Sequence, residues 1–219
     1  MERLKFANFL WEVRQSAGLA GPGPNRFDRR NVSLLPSGAL QLEVALRDGA
    51  WTCAELTTIE RLGLGTYQFQ LVGHPELLDP QLVFGFFPYP TPEIGPDGTH
   101  ELDIEFARWG ERTKPCGNYT VCPTTLGKPA TTHPFPLNVT SELSTHRIVR
   151  RADRLIFSSY TGHRRLGDQA GKLHEWEFAG ELSQAAMPLH VNFWLFRGKA
   201  PQDGQAASLT LKNIQFIRA

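Results

Sequence analysis

The chain has 219 residues, a length that suits one large domain and leaves room for a full hydrophobic core. Lys plus Arg number 23 and Asp plus Glu 22, so a formal net charge of +1 excludes a global pull toward nucleic acid or an anionic membrane. Hydrophobic residues at 41% argue against disorder, and no apolar run reaches the roughly 18 residues of a membrane-spanning helix.

In chain order, the first eleven residues, Met1 to Trp11, lack the apolar stretch of a secretory signal. Gly21-Pro-Gly-Pro24 reads as a turn, because proline removes the amides that a phosphate would need. From there the dominant period is two. Leu40, Leu42, Val44 and Leu46 share one face of a strand, and Arg47-Asp-Gly49 ends it. Cys53 lies in a strand-like run and reads as a small core residue. Tyr67, Phe69 and Leu71 alternate with Gln68 and Gln70. Gln81 to Phe87 is an apolar run of strand length. Cys116 and Cys122 are close in sequence but read as free thiols, since three cysteines make no disulfide framework. Pro123 to Pro136 is expected to be a long ordered surface loop, and Gly180 to Ala186 a short helix.

Leu189, Val191, Phe193 and Leu195 face one way in the next strand, and His190, Asn192, Trp194 and Phe196 the other. Trp194 beside a His and an Asn, opposite an aliphatic face, is oddly placed for a core residue; a Trp capped by a long loop is the other reading. The last strand, Ser208 to Ile217, slips phase near Lys212-Asn213, which predicts a bulge. The pairs Arg29-Arg30, Arg150-Arg151 and Arg164-Arg165 read as solvated. Asn31, Asn118 and Asn138 begin glycosylation sequons. With 20 Gly, 16 Pro and no internal repeat or linker, the pattern predicts an all-β sandwich or jelly roll, one domain over residues 1–219.

Thr99-His-Glu-Leu-Asp-Ile-Glu-Phe106 is the most informative segment. Glu101, Asp103 and Glu105 point one way, and Leu102, Ile104 and Phe106 point into a core. Acids are depleted in strands, and three on one face repel one another. A retaining glycoside hydrolase needs such a row, with nucleophile and acid/base carboxyls about 5–5.5 Å apart. The Cα atoms of Glu101 and Glu105 lie roughly 13 Å apart on a strand, so both side chains must lean inward over Asp103. Like-charge coupling raises the pKa of at least one member, as a general acid requires. An exposed acidic strand face fits the same alternation. A metal site is a third reading, but His100 falls on the apolar parity. Five Trp, four Tyr and fourteen Phe favour sugar, whose ring faces stack on aromatics. No nucleophile elbow, Walker loop or dinucleotide fingerprint is present.

At Glu101-Leu-Asp-Ile-Glu-Phe106 the chain resembles glycoside hydrolase family 16, the laminarinase, lichenase and xyloglucan transferase group, whose motif is E-[IL]-D-x-E. The likeness continues in order. Gly23-Pro-Asn-Arg-Phe27 with Asn31-Val-Ser33, Trp51 to Leu56, Gly63 to Tyr67, Gly85 to Tyr89 and Asn192-Phe-Trp194 resemble its early, A-E, G-Y-G-x-Y, F-F-x-Y and N-L-W stretches.

The resemblance implies a concanavalin A-like jelly roll of two curved sheets with a cleft on the concave face. It implies Glu101 as nucleophile, Asp103 as assisting acid and Glu105 as acid/base, with Asn25, Glu55, Phe87, Tyr89, Asn118, Asn192 and Trp194 lining the cleft. Two positions depart from the pattern: Thr99 stands where the bacterial glucanases carry Trp, and Thr57 where they carry Arg. Trp109 is a substitute ring candidate. The expectation is a monomeric, retaining, endo-acting hydrolase of a β-linked polysaccharide, a β-glucan first, with no nucleic-acid or membrane partner. A transglycosylase with the same residues and a non-catalytic lectin-like module remain alternatives. No organic cofactor is expected; a structural calcium stays open, with no ligand loop evident. The family is usually extracellular or periplasmic, whereas this sequence shows no signal.

Overall fold

The computed structural model describes residues 2–219. The chain opens with a hairpin, β1 (Glu2–Phe6) and β2 (Phe9–Val13), whose two-residue turn Ala7-Asn8 takes positive φ at both positions, matching the right-handed twist of the strands. Then follow β3 (Val32–Leu34), β4 (Leu40–Arg47), β5 (Ala50–Thr52), β6 (Ala54–Leu62), β7 (Gly65–Val72) and β8 (Leu82–Pro88). The acidic segment forms β9 (Leu102–Ala107), with Glu101 immediately before it. The remaining strands are β10 (Gly117–Val121), β11 (Thr131–Phe135), β12 (Leu143–Arg150), β13 (Leu155–Thr161), β14 (Lys172–Phe178), β15 (Met187–Leu195) and β16 (Ala207–Arg218).

Two antiparallel sheets result. One runs β1-β2-β6-β15-β8-β9-β10-β11 and the other β14-β13-β12-β7-β16-β4-β3, with β5 paired to β4. Period-two strands bury one face each, and here the two apolar faces meet. Phe84, Phe86, Ile104, Phe106, Val191 and Phe193 come from the first sheet, and Leu40, Leu42, Tyr67, Phe69, Leu71, Ile148 and Ile214 from the second, all at most 1% exposed. Phe69 sits at the centre, 4.5 Å from the Phe86 ring and 5.7 Å from that of Phe84. His146 stacks on it at 4.8 Å, both ring nitrogens held by Ser144 and Ser159 hydroxyls. Burial pushes the His146 pKa down to about 3, so a neutral ring serves as core filler.

The predicted bulge is present: the β16 register against β7 shifts between Leu211 and Asn213. All three cysteines are free thiols. Three expectations need correction. Gly180 to Ala186 forms no helix. The Arg150 guanidinium donates from one nitrogen to the Ser183 and Ala185 carbonyls, at 2.7 and 2.8 Å, and so takes up acceptors that a helix would use internally. Arg150 is correspondingly fully buried rather than solvated. The 123–136 stretch is not all loop, because β11 lies within it; Pro134 is tolerated there because β11 is an edge strand. The sequon residues Asn31 and Asn118 are buried, which leaves Asn138 as the exposed one.

Truncating Phe69 removes the ring on which both sheets pack. Phe69→Ala should cost about 3–5 kcal/mol in urea-induced unfolding. A loss under about 1 kcal/mol would contradict this packing.

Candidate active site

The outward face of the first sheet carries the candidate site. Cross-strand pairing places Glu55, Asn192, Gly85, Glu105 and Asn118 in one row over five adjacent strands, β6, β15, β8, β9 and β10. Gly85 is required there. A Cβ at that position would lie 2.5 Å from Asn192 Oδ1 and 3.2 Å from the Phe87 ring. The bare backbone thus leaves open space between Asn192 and Glu105.

Above this row is a cavity of about 480 Å³. Glu101, Asp103 and Glu105 line it together with Glu55 and Asp97. Phe87, Tyr89 and Trp194 supply aromatic wall, and Arg14, His190 and the Gly21-Pro22 turn complete it. The core side of β9 explains why the acids face outward: Leu102, Ile104 and Phe106 are at most 2% exposed, and a one-residue slip would bury the carboxylates among them.

Electrostatics follow from this placement. Burial raises the pKa of Glu105, with the Glu101 charge adding to it. Burial likewise raises Glu101, opposed by a hydrogen bond with Asp103. Asp103 is pushed well up by burial and by its neighbours Glu101 and Glu105. Carboxyl oxygens of Glu101 and Asp103 lie within 4.8 Å of each other, so the two groups compete for a proton. The row therefore keeps protons to higher pH than isolated carboxyls do, and titrates as a coupled set.

The binding residues expected from the resemblance separate into two groups. Glu55, Phe87, Tyr89, Asn192 and Trp194 line the cavity. Asn192 Oδ1 is buried without a protein partner among the described residues. Tyr89 donates its hydroxyl to Asp97 Oδ1 at 2.7 Å, and its ring meets Phe87 edge-on at 5.9 Å. Asn25 and Asn118 are not on the cavity lining. Asn25 Nδ2 donates to the Pro22 and Leu195 carbonyls, fixing the 21–24 turn from behind. Asn118 Nδ2 donates to the Ala107 and Cys116 carbonyls, so its amide is spent on the β9–β10 connection. Trp109 is no substitute platform: it packs on Phe196 at 5.6 Å and donates to Asn118 Oδ1. Thr99 is fully buried, its hydroxyl on the Pro96 carbonyl.

Besides the Gly21-Pro22 turn, three cavity residues were not among the expected ones: Arg14, Asp97 and His190. Arg14 sits across from Glu55, its backbone N–H donating to the Glu55 carbonyl, and its guanidinium pairs with the Glu55 carboxylate. With Thr57 uncharged, the cation that meets Glu55 comes from the neighbouring chain segment. Only the pairing of β2 with β6 brings it there, and no local spacing could reveal that. His190 was visible on the polar parity of its strand. Donor atoms of Glu101, Asp103 and Cys122 lie within 4.8 Å of one another and could hold a cation. Two of these are the acids of the row, and burial pushes the Cys122 thiol up to about 12, which disfavours the thiolate a metal requires.

No protein-family model matches the sequence, and neither does any curated protein. Solved structures do match. The β-glucanase of Bacillus licheniformis superposes with a TM-score of 0.71 at 16% identity, covering 98% of this chain and 95% of that one. A prokaryotic β-1,3-1,4-glucanase (lichenase) derived from a mouse hindgut metagenome gives 0.70 at 17% identity, covering 98% and 96%. A glycosyl hydrolase family 16 protein of Mycobacterium smegmatis gives 0.70 at 19%, covering 94% and 91%. The fold is thus the jelly roll of family 16 β-glucanases, present over nearly the whole chain.

Each acid of the row is harder to ionise in the folded chain than in the unfolded one. Its stabilising contribution is full at low pH and is lost as the pH rises through the raised folded value. Between about pH 5 and about pH 9 the unfolding midpoint of Glu105→Gln should fall less than that of the wild type. His146 is common to both proteins, so the difference isolates the row. Equal slopes in calorimetry would contradict the burial argument.

Proposed function

We propose that the protein is a retaining, endo-acting glycoside hydrolase of a β-linked polysaccharide, with a β-glucan as the substrate class. The observation that carries this reading is the row of three outward-facing carboxyls, Glu101 just before β9 and Asp103 and Glu105 on it, with Asp103 buried between two half-buried glutamates and the row walled by Phe87, Tyr89 and Trp194. Pyranose faces are apolar and stack on such rings. The fold shared with a lichenase and other glucanases supports the choice of β-glucan.

In this mechanism Glu101 attacks the anomeric carbon while Glu105 gives its proton to the leaving glycosidic oxygen. The bond to the leaving sugar breaks as the Glu101 ester forms. Glu105, now a carboxylate, removes a proton from water, whose oxygen displaces Glu101 and restores the starting anomeric configuration. The raised pKa of Glu105 keeps its proton available near neutrality. Asp103, pushed further up than an ordinary carboxyl, holds a proton beside Glu101, so that Glu101 can carry the charge needed for attack. Arg14 holds Glu55 as an ion pair, so the cavity wall adds less negative charge to the row.

Reducing-sugar release from mixed-linkage β-glucan, laminarin, xyloglucan, agarose and carrageenan tests the activity. Wild type should release sugar from a β-glucan, and Glu101→Gln should lose at least about 10³-fold. Azide should rescue Glu101→Ala with a glycosyl azide of opposite anomeric configuration. A folded, sugar-binding Glu101→Ala that azide fails to rescue would remove Glu101 from the nucleophile role.

A further inference from the structure

His190 occupies a position in the cavity that the mechanism above does not use. Its ring stacks on Phe87 at 5.3 Å with planes 27° apart, and Tyr89 lies at 5.3 Å on a tilted ring. Nδ1 lies 3.2 Å from Glu55 Oε1 and 3.1 Å from the Thr57 hydroxyl. The other Glu55 oxygen is engaged by the Arg14 guanidinium. A carboxylate held in an ion pair has no proton to give, so the proton of the contact belongs to the imidazole. Nδ1–H is then shared between Glu55 Oε1 and the Thr57 hydroxyl oxygen. In a neutral imidazole the second nitrogen carries the lone pair. Nε2 has no protein partner among the described residues and is not an enclosed orphan, so it reaches the open space of the cavity that His190 lines.

We propose that His190 is a specificity-determining residue for the hydrolase of the preceding section, presenting Nε2 as an acceptor to a free sugar hydroxyl, with its tautomer set by the Arg14–Glu55 ion pair. The proposal rests on that hydrolase reading and adds a substrate criterion to it. The sugar unit beside Glu55 must carry an unsubstituted hydroxyl that can donate. An etherified position offers no proton to Nε2. A sulfated or carboxylated position offers only acceptors, and meets Nε2 together with the Glu55 and Asp97 carboxylates. A site built to bond a hydroxyl discriminates against ligands lacking one, because its own polar atom is left unpaired. Stacking on Phe87 fixes the ring plane and hence the direction of the lone pair.

The test has two arms. Long-range proton–nitrogen NMR of the wild-type protein near neutral pH should show a pyrrole-like Nδ1 and a pyridine-like Nε2 for His190. This measurement needs no substrate and no variant that might misfold. The converse tautomer, or an imidazolium protonated on both nitrogens, would overturn the proposal. The second arm is steady-state kinetics on mixed-linkage β-glucan. His190→Phe keeps a flat ring on Phe87 but removes both nitrogens. Its KM should rise at least about tenfold while kcat falls less than about threefold. His190→Gln, whose amide oxygen can accept in place of Nε2, should recover most of the KM. An active wild type with an unmoved KM in His190→Phe would overturn the proposal and leave the hydrolase reading standing. A wild type inert on every polymer tested would overturn the hydrolase reading itself.

Discussion

The structure is organised around a repulsion. Three carboxyls stand in one row, two on β9 and one immediately before it, in an environment that resists their ionisation. Water would relieve the arrangement, and burial withholds that relief. What holds the acids there is the opposite face of the same strand. Leu102, Ile104 and Phe106 are locked into the aromatic core around Phe69, and pairing with β8 and β10 fixes the register from both sides. Below Glu101, the His100 ring bonds the Ser183 hydroxyl and Arg150 ties the same loop to the second sheet. Stability is thus spent in the site and recovered in the core, as is common where chemistry needs charges that solvent would otherwise quench.

The neighbouring strands complete what β9 cannot supply alone. Gly85 leaves space that a side chain would fill, and Asn192 sends an unpaired oxygen toward it. Glu55 would add another negative charge to an acidic cavity, but Arg14 pairs with it. The N-terminal hairpin is therefore part of the site's electrostatics as well as an extra edge on the sheet. The same carboxylate contacts His190 Nδ1, so one ion pair both moderates the charge near the acid row and bears on the His190 ring in the cavity.

Much of this was legible in the sequence because sheet sandwiches write their two faces as alternation. The acid row, the Phe69 face, the His190-Asn192-Trp194 face and the β16 bulge all follow from period two. What escaped depends on contacts distant along the chain. Arg14 reaches Glu55 only through pairing of segments about forty residues apart. Arg150 looks like half of a solvated basic pair, and its burial depends on carbonyls thirty-three and thirty-five residues away. Those carbonyls also explain the absent helix at 180–186. Asn25 and Asn118 fall where the resemblance places cleft residues, yet their amides are used up on backbone carbonyls, which no motif can show.

The central claim is that Glu101 becomes covalently glycosylated during turnover. Incubation with an activated 2-deoxy-2-fluoro β-glucoside or cellobioside, which slows release of the intermediate, followed by peptide mass spectrometry, reads this directly. The account predicts one added glycosyl group on the peptide bearing Glu101, mapped to that carboxylate. A label on Glu105, or an active enzyme that loses activity to the reagent with no label on Glu101, would contradict it.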